Sequence, residues 1–221
     1  MSSKAYYIFK DRLISDVDEL IAIHRSSRQG RRGRHHLGHI TRSALIMICT
    51  ALEHYVELVC KDYVEKICCN EAIDRINKDL ETSFAQHIRE KPKEYCFNLT
   101  GSGWKKCLMN FVDEKTSVFN TPNREKMLKL IKETTGSNLS SLLSSDKSRV
   151  LNKIITDRGD VTHKGAKAPY PNISDIVKYR NFICNLVMDV DEFLAMEGKK
   201  IYNKQAWCKL PASVRIQPIT A

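Results

Sequence analysis

The stretch Arg158-Gly159-Asp160-Val161-Thr162-His163-Lys164-Gly165 holds the residues best suited to chemistry in this chain. It places a fixed cation and a titratable proton carrier five positions apart. Such a pair suits cleavage of a phosphodiester. Arginine offers phosphate oxygens a planar fork of donors and stays charged at every working pH. Histidine can accept or donate a proton near neutrality. RNA supplies its own nucleophile, the 2′-hydroxyl. A protein need only align it with phosphorus, move protons and stabilise the charge growing on the phosphate oxygens. The expected products are a 2′,3′-cyclic phosphate and a 5′-hydroxyl. No cofactor is required, and the sequence shows no acidic cluster that would build a metal site.

Spacing alone is a weak signal, because Arg31/His36 and Arg34/His39 repeat it within an arginine-rich stretch. Context separates Arg158 and His163. They follow an amphipathic segment, Leu142 to Asp157, and precede a loop holding Pro169 and Pro171. On an ideal helix, residues five apart diverge by ~140°. The pair therefore converges only if the backbone leaves the helix near Gly159, or if two chains contribute. Asp160 is a candidate supporting acid. Glu53 is a candidate hydrogen-bond partner for Arg158 across the fold. The plainer alternatives are an Arg158 paired with Asp157 or Asp160, and a His163 that caps a helix end.

The elements that would position these residues read as helices, since strand-type alternation is nearly absent. A first helix is expected over Asp11 to about Arg25. A long one, about Leu37 to Cys68, carries Ile40, Ala44, Met47, Ala51, Tyr55, Leu58 and Val59 at three- to four-residue steps. Asn70 reads as the cap of a third helix, roughly Glu71 to Glu90, ending before Pro92. Trp104 to about Asp113 is a short helix. Thr121-Pro122 reads as the start of another that stops at Gly136. The last helix begins near Ser174 and is expected to end at Gly198. The fold class is all-α: a bundle over residues 1–198 with a long central helix and additional short helices. Residues 199–221 form a tail in which Trp207 and Leu210 can pack back onto the bundle.

The chain has 221 residues and 42% hydrophobic content, enough for one domain with a substantial core. The longest uncharged apolar stretch, Ala44 to Leu52, is about half the ~20 residues needed to span a membrane. No secretory signal is visible, so a cytoplasmic protein without a membrane partner is expected. The eight cysteines form no CxxC pair and read as buried, reduced thiols. The formal net charge of +10 favours polyanionic partners, RNA first. Its densest part is the polar, glycine-broken run Arg25 to His36, where Arg28, Arg31, Arg32 and Arg34 are candidate phosphate contacts. Lys164 is a further candidate. Tyr6, Tyr7 and Phe9 can either stack on bases or dock an N-terminal segment.

The order of a long helix containing Ala51-Leu52-Glu53-His54-Tyr55-Val56-Glu57, intervening helices, a helix ending in Arg158-x-x-x-x-His163-Lys164-Gly165 and a terminal helix resembles the HEPN superfamily of helical bundles. The similarity is to its bacterial defence- and toxin-associated branch and covers roughly Asp11 to Glu197. The resemblance implies a metal-independent endoribonuclease that works as a homodimer, with Arg158 and His163 from both copies meeting at a two-fold interface. It also implies a setting with an antitoxin or other defence-system partner. Family members often place a polar residue, commonly Asn, after the arginine, whereas Gly159 stands here. The alternative is an inactive module of the same fold that binds RNA or a partner protein.

Overall fold

The structure, a computed structural model, describes residues 2–28, 37–70, 75–92, 99–167 and 171–220. Among these residues every regular element is helical. α1 (Lys4–Ile8), a π-helical turn (Phe9–Leu13) and α2 (Ile14–Arg28) follow one another without a break. Then come α3 (Gly38–Lys66), α4 (Lys78–Glu90), α5 (Gly103–Ser117), α6 (Arg124–Thr135), α7 (Ser145–Lys164) and α8 (Ile173–Tyr202). α3 is the spine and touches α1, α2, α5, α6, α7 and α8. The sequence dictates this role. Ala44, Leu45, Ile48, Leu52, Tyr55, Val56, Val59, Tyr63 and Val64 are all buried, nearly all on one broad face of the helix, while His39, Ser43, Thr50 and His54 on the other side are exposed. A long apolar face of this width is covered only when several helices pack against it.

That burial bears on the membrane expectation. The Gly38–Asn70 stretch does have the length and mean hydropathy, 1.5, to cross a membrane. More than half of its most apolar window is buried by the surrounding helices, which marks it as a core helix.

Several helix ends differ from the sequence expectation, each for a local reason. Asn70 caps the end of the preceding segment, donating through Nδ2 to the carbonyls of Lys66 (2.8 Å) and Glu65 (3.4 Å). α4 starts later, with Asn77 accepting from the Asp79 amide at 2.8 Å. α6 is capped by Asn123, which accepts from the Lys126 amide, and not by Thr121. Thr121 instead adopts a left-handed φ of 56°. Gly136 does end α6, with φ 73°, and a Cβ there would collide with the Asn77 side chain. Gly198 does not end α8. It lies inside the helix against Ile67, where a Cβ would also meet the Lys204 carbonyl at 3.2 Å.

The segments before α2 and after α8 are both tied to the bundle. Tyr6 and Phe9 are fully buried, which leaves neither ring free to stack on a base. Two buried carboxylates hold the start of α1. Asp191 accepts from the Ser3 amide and hydroxyl, and Asp62 accepts from the Ala5 amide at 2.7 Å. Burial, reinforced by the nearby Asp62 charge, pushes the Asp191 carboxyl up to about 6 against its donors. The tail wraps the same region. Trp207 donates through its indole N–H to the Asp191 carbonyl at 2.9 Å, and Leu210 and Ile216 are buried. Arg180, 3% exposed, forks onto both oxygens of Asp18 and donates to the Gln217 carbonyl, joining α8, α2 and the tail.

Candidate functional site

α7 begins at Ser144, whose hydroxyl accepts from the Lys147 amide, and buries Leu151, Ile154 and Val161. These positions trace one stripe, and Arg158 falls on it between Ile154 and Val161. A guanidinium thus occupies a core-facing position. The helix does not end at Asp157 or break at Gly159. It continues to Lys164 and closes at Gly165 with φ 54°. Gly159 keeps helical geometry, and nothing lies within 4 Å of where its Cβ would be. Arg158 and His163 therefore share one regular helix, ~140° apart and ~7.5 Å apart along the axis. Arg158 is half-buried toward the bundle, while His163 is exposed. A single copy of the chain does not bring the two together.

The acids around Arg158 are committed elsewhere. Asp157 accepts from the Tyr179 hydroxyl at 2.6 Å and from Lys153 at 3.1 Å. Asp160 pairs with Lys164, one helical turn on, at 2.8 Å. Glu53 accepts from the Thr121 amide at 2.7 Å and is not hydrogen-bonded to Arg158. The expected Glu53–Arg158 bond is absent because that carboxylate oxygen holds the left-handed Thr121 turn, a costly conformation for a β-branched residue. Arg158 forms no ion pair among the described residues, and its Nε is buried without a hydrogen-bond partner. A buried donor left unpaired costs about 1–3 kcal/mol.

Cys49 on α3 marks where these groups converge. Burial pushes its thiol up to about 12. The Arg158 charge pulls it down, and the Glu53 and Asp157 charges push it up. α3 and α7 thus bring Arg158, Glu53 and Asp157 to one neighbourhood, with the guanidinium the member lacking a partner. Asp160 and Lys164, displaced from Arg158 around the helix, form a separate solvent-side pair.

Of the basic run, α2 extends through Arg28, so the segment is helical three residues beyond Arg25. Arg31, Arg32 and Arg34 lie outside the described residues. Of the cysteines, Cys49, Cys60, Cys68, Cys107 and Cys184 are buried, with no disulfide among the described residues.

The sequence pattern of the RiboL-PSP-HEPN family matches residues 11–196, from the π-helical turn to the later part of α8. The chain belongs to the RiboL-PSP-HEPN family. No curated protein and no solved structure matches it. The RiboL-PSP-HEPN segment contains Glu53, Asp157, Arg158, Asp160 and His163, and leaves Ser2 to Lys10 and the tail outside. Three participants escaped sequence reasoning. Cys49 is unremarkable in an apolar run. Tyr179 reads as one more stripe residue of α8. The Thr121 amide is a backbone group, and the only sequence hint to it is the Thr-Pro dipeptide, which disfavours a helical Thr.

Proposed function

We propose that this HEPN protein is a metal-independent endoribonuclease that acts as a homodimer. The supporting observation is the half-buried, unpaired Arg158 guanidinium on the core-facing stripe of α7. Every nearby carboxylate has another partner, which leaves the guanidinium available to a scissile phosphate. Arg158 binds two phosphate oxygens and stabilises the charge that develops on them. The 2′-oxygen attacks phosphorus as its proton passes to one imidazole. The bond to the 5′-oxygen breaks as a second imidazole delivers a proton to it. The products are a 2′,3′-cyclic phosphate and a 5′-hydroxyl.

Two imidazoles require two copies of His163, and the divergence of Arg158 and His163 on one helix requires the same. In an isologous dimer, Arg158 of one copy and His163 of the other can face a shared strand. Glu53 acts as a positioning residue through the Thr121 turn. Asp160 holds Lys164 near the strand, and the Arg28–Arg34 run adds sequence-independent phosphate contacts. The exposed His163 is compatible with a substrate-facing role. A cytoplasmic toxin or defence effector, restrained by an antitoxin-type partner, is the setting this reading implies.

The unbroken helix through Gly159 favours a second reading, an inactive HEPN module that binds RNA or protein. One assay separates them. Wild type and His163→Ala are incubated with mixed single-stranded RNA in EDTA, and the product ends are mapped. The nuclease gives cyclic phosphate ends with wild type alone. No cutting, or equal cutting by both proteins, selects the binding module.

A further inference from the structure

A groove of about 660 Å³ opens where α1 meets the C-terminal end of α3. Its lining includes Ser2, Lys4, Tyr7, Asp11, Arg12 and Lys66. Lys4, Arg12 and Lys66 are exposed, and none has an ion-pair partner among the described residues. Asp62, a carboxylate that Lys4 and Lys66 both sense, is 8% exposed and accepts from the Ala5 amide. It does not pair with either lysine. Lys66 instead lies over the Trp207 ring at 5.7 Å. Ser2 is 3% exposed, and its hydroxyl has no hydrogen-bond partner. That hydroxyl lies beside an open, cationic groove, where it can hydrogen-bond an oxygen of a bound molecule. Tyr6 of the same helix is buried, but Tyr7 stays partly exposed at the groove.

We propose that this groove is a second binding site, for a phosphorylated nucleoside, either free or as one unit of an RNA strand. Lys4, Arg12 and Lys66 receive the phosphate, the Tyr7 ring carries the base, and the Ser2 hydroxyl bonds a ribose or phosphate oxygen. Three cations against Asp11 and the buried Asp62 leave a local charge near +1, which favours a phosphate group. An aromatic ring beside the cations selects a base over an aliphatic phosphate. The volume lies within the ~300–1,000 Å³ usual for small-molecule sites. The groove is separate from the α7 motif. Lys66 is about 25 Å along α3 from Cys49, the neighbour of Arg158. Ser2, Lys4 and Tyr7 also precede the family-matched segment.

The test is calorimetric titration of His163→Ala protein in EDTA, so that binding is read without cutting. Uridine 5′-monophosphate, a short oligouridylate and inorganic phosphate are titrated separately. Saturable binding of the monophosphate, weakened about tenfold or more in Lys4→Gln/Arg12→Gln and again in Lys66→Gln, is the expected result, with a shallower salt dependence in each variant. Tyr7→Leu weakens the nucleotide but not inorganic phosphate. A variant-sensitive signal with oligouridylate alone identifies an RNA strand as the occupant, and one with the monophosphate alone a free nucleotide. Absence of saturable binding by both, or equal binding by wild-type and variant grooves, overturns the proposal. Thermal melts confirm that these surface substitutions leave the fold intact. Loss of RNA cleavage in the earlier assay would not touch this result, because no step here uses His163.

Discussion

Replacing Arg158 by methionine should make the protein more stable while abolishing RNA cleavage. Arg158 sits on the buried stripe of α7 with its Nε unpaired, so the folded state carries the cost of a desolvated donor. Relief of that cost amounts to about 1–3 kcal/mol. Methionine is flexible and fills irregular space beside Ile154 and Val161, which retains most of the packing. A net gain of about 1–2 kcal/mol is expected, and for a chain of this size each kcal/mol moves Tm by roughly 2–4 °C. The assay is thermal and urea unfolding of wild type and Arg158→Met, with the urea m-value compared to confirm the same denatured state. Sulfate should narrow the gap, because an anion that fills the guanidinium fork stabilises only wild type. A variant that melts below wild type would refute this account. It would mean that Arg158 is a structural residue with partners that hold the bundle together.

Other substitutions probe the remaining parts. Gly159→Ala should stabilise α7 by about 0.5–1 kcal/mol, since the position is helical with open space beside it, and Gly159→Asn should cut RNA at least as well as wild type; a large loss of Tm in the alanine variant would contradict both the helical geometry and the free space. Arg180→Ala removes a buried fork from Asp18 and the tail and should cost about 3 kcal/mol in urea unfolding, with early proteolysis of residues 203–220; unchanged stability would show the clasp to be idle. The Asp191 carboxyl, raised from 3.8 to about 6 by burial, binds a proton more tightly when folded, so its contribution is fully present below pH ~4 and is lost as pH rises to ~6, by about 3 kcal/mol; Asp191→Asn should flatten that segment of the stability–pH curve, and an identical slope in the variant would sink the assignment. Thr121→Gly should relieve the left-handed strain and gain about 1 kcal/mol by thermal melt, and a loss would place other contacts at that turn.

The helical class and the spine were legible because apolar residues recur through α3 at helical steps, and no strand pattern competes. Gly136 was legible as a stop because a glycine after the last periodic residue suits a left-handed cap. The same logic misled at Gly159 and Gly198, where the chain keeps helical geometry and packing on neighbouring helices outweighs glycine's weak propensity. Asn70 was misread because asparagine can serve either end of a helix, and its direction depends on carbonyls exposed four and five residues earlier. The Arg158–His163 pair was recognisable in the sequence, but its isolation from nearby acids was not. That isolation depends on Tyr179 engaging Asp157 and on the Thr121 amide engaging Glu53, contacts between elements far apart in the chain.

The central claim is that one copy supplies the guanidinium and another the imidazole. The most direct measurement mixes Arg158→Ala and His163→Ala proteins, each inactive alone, and follows RNA cleavage in EDTA after subunit exchange. Random pairing makes about half the dimers mixed, each keeping one Arg158–His163 pair across the interface but one imidazole of the two, so cleavage should return in the mixture at less than about a quarter of wild-type activity. Full inactivity of a mixture shown by sedimentation to contain mixed dimers would contradict the shared site.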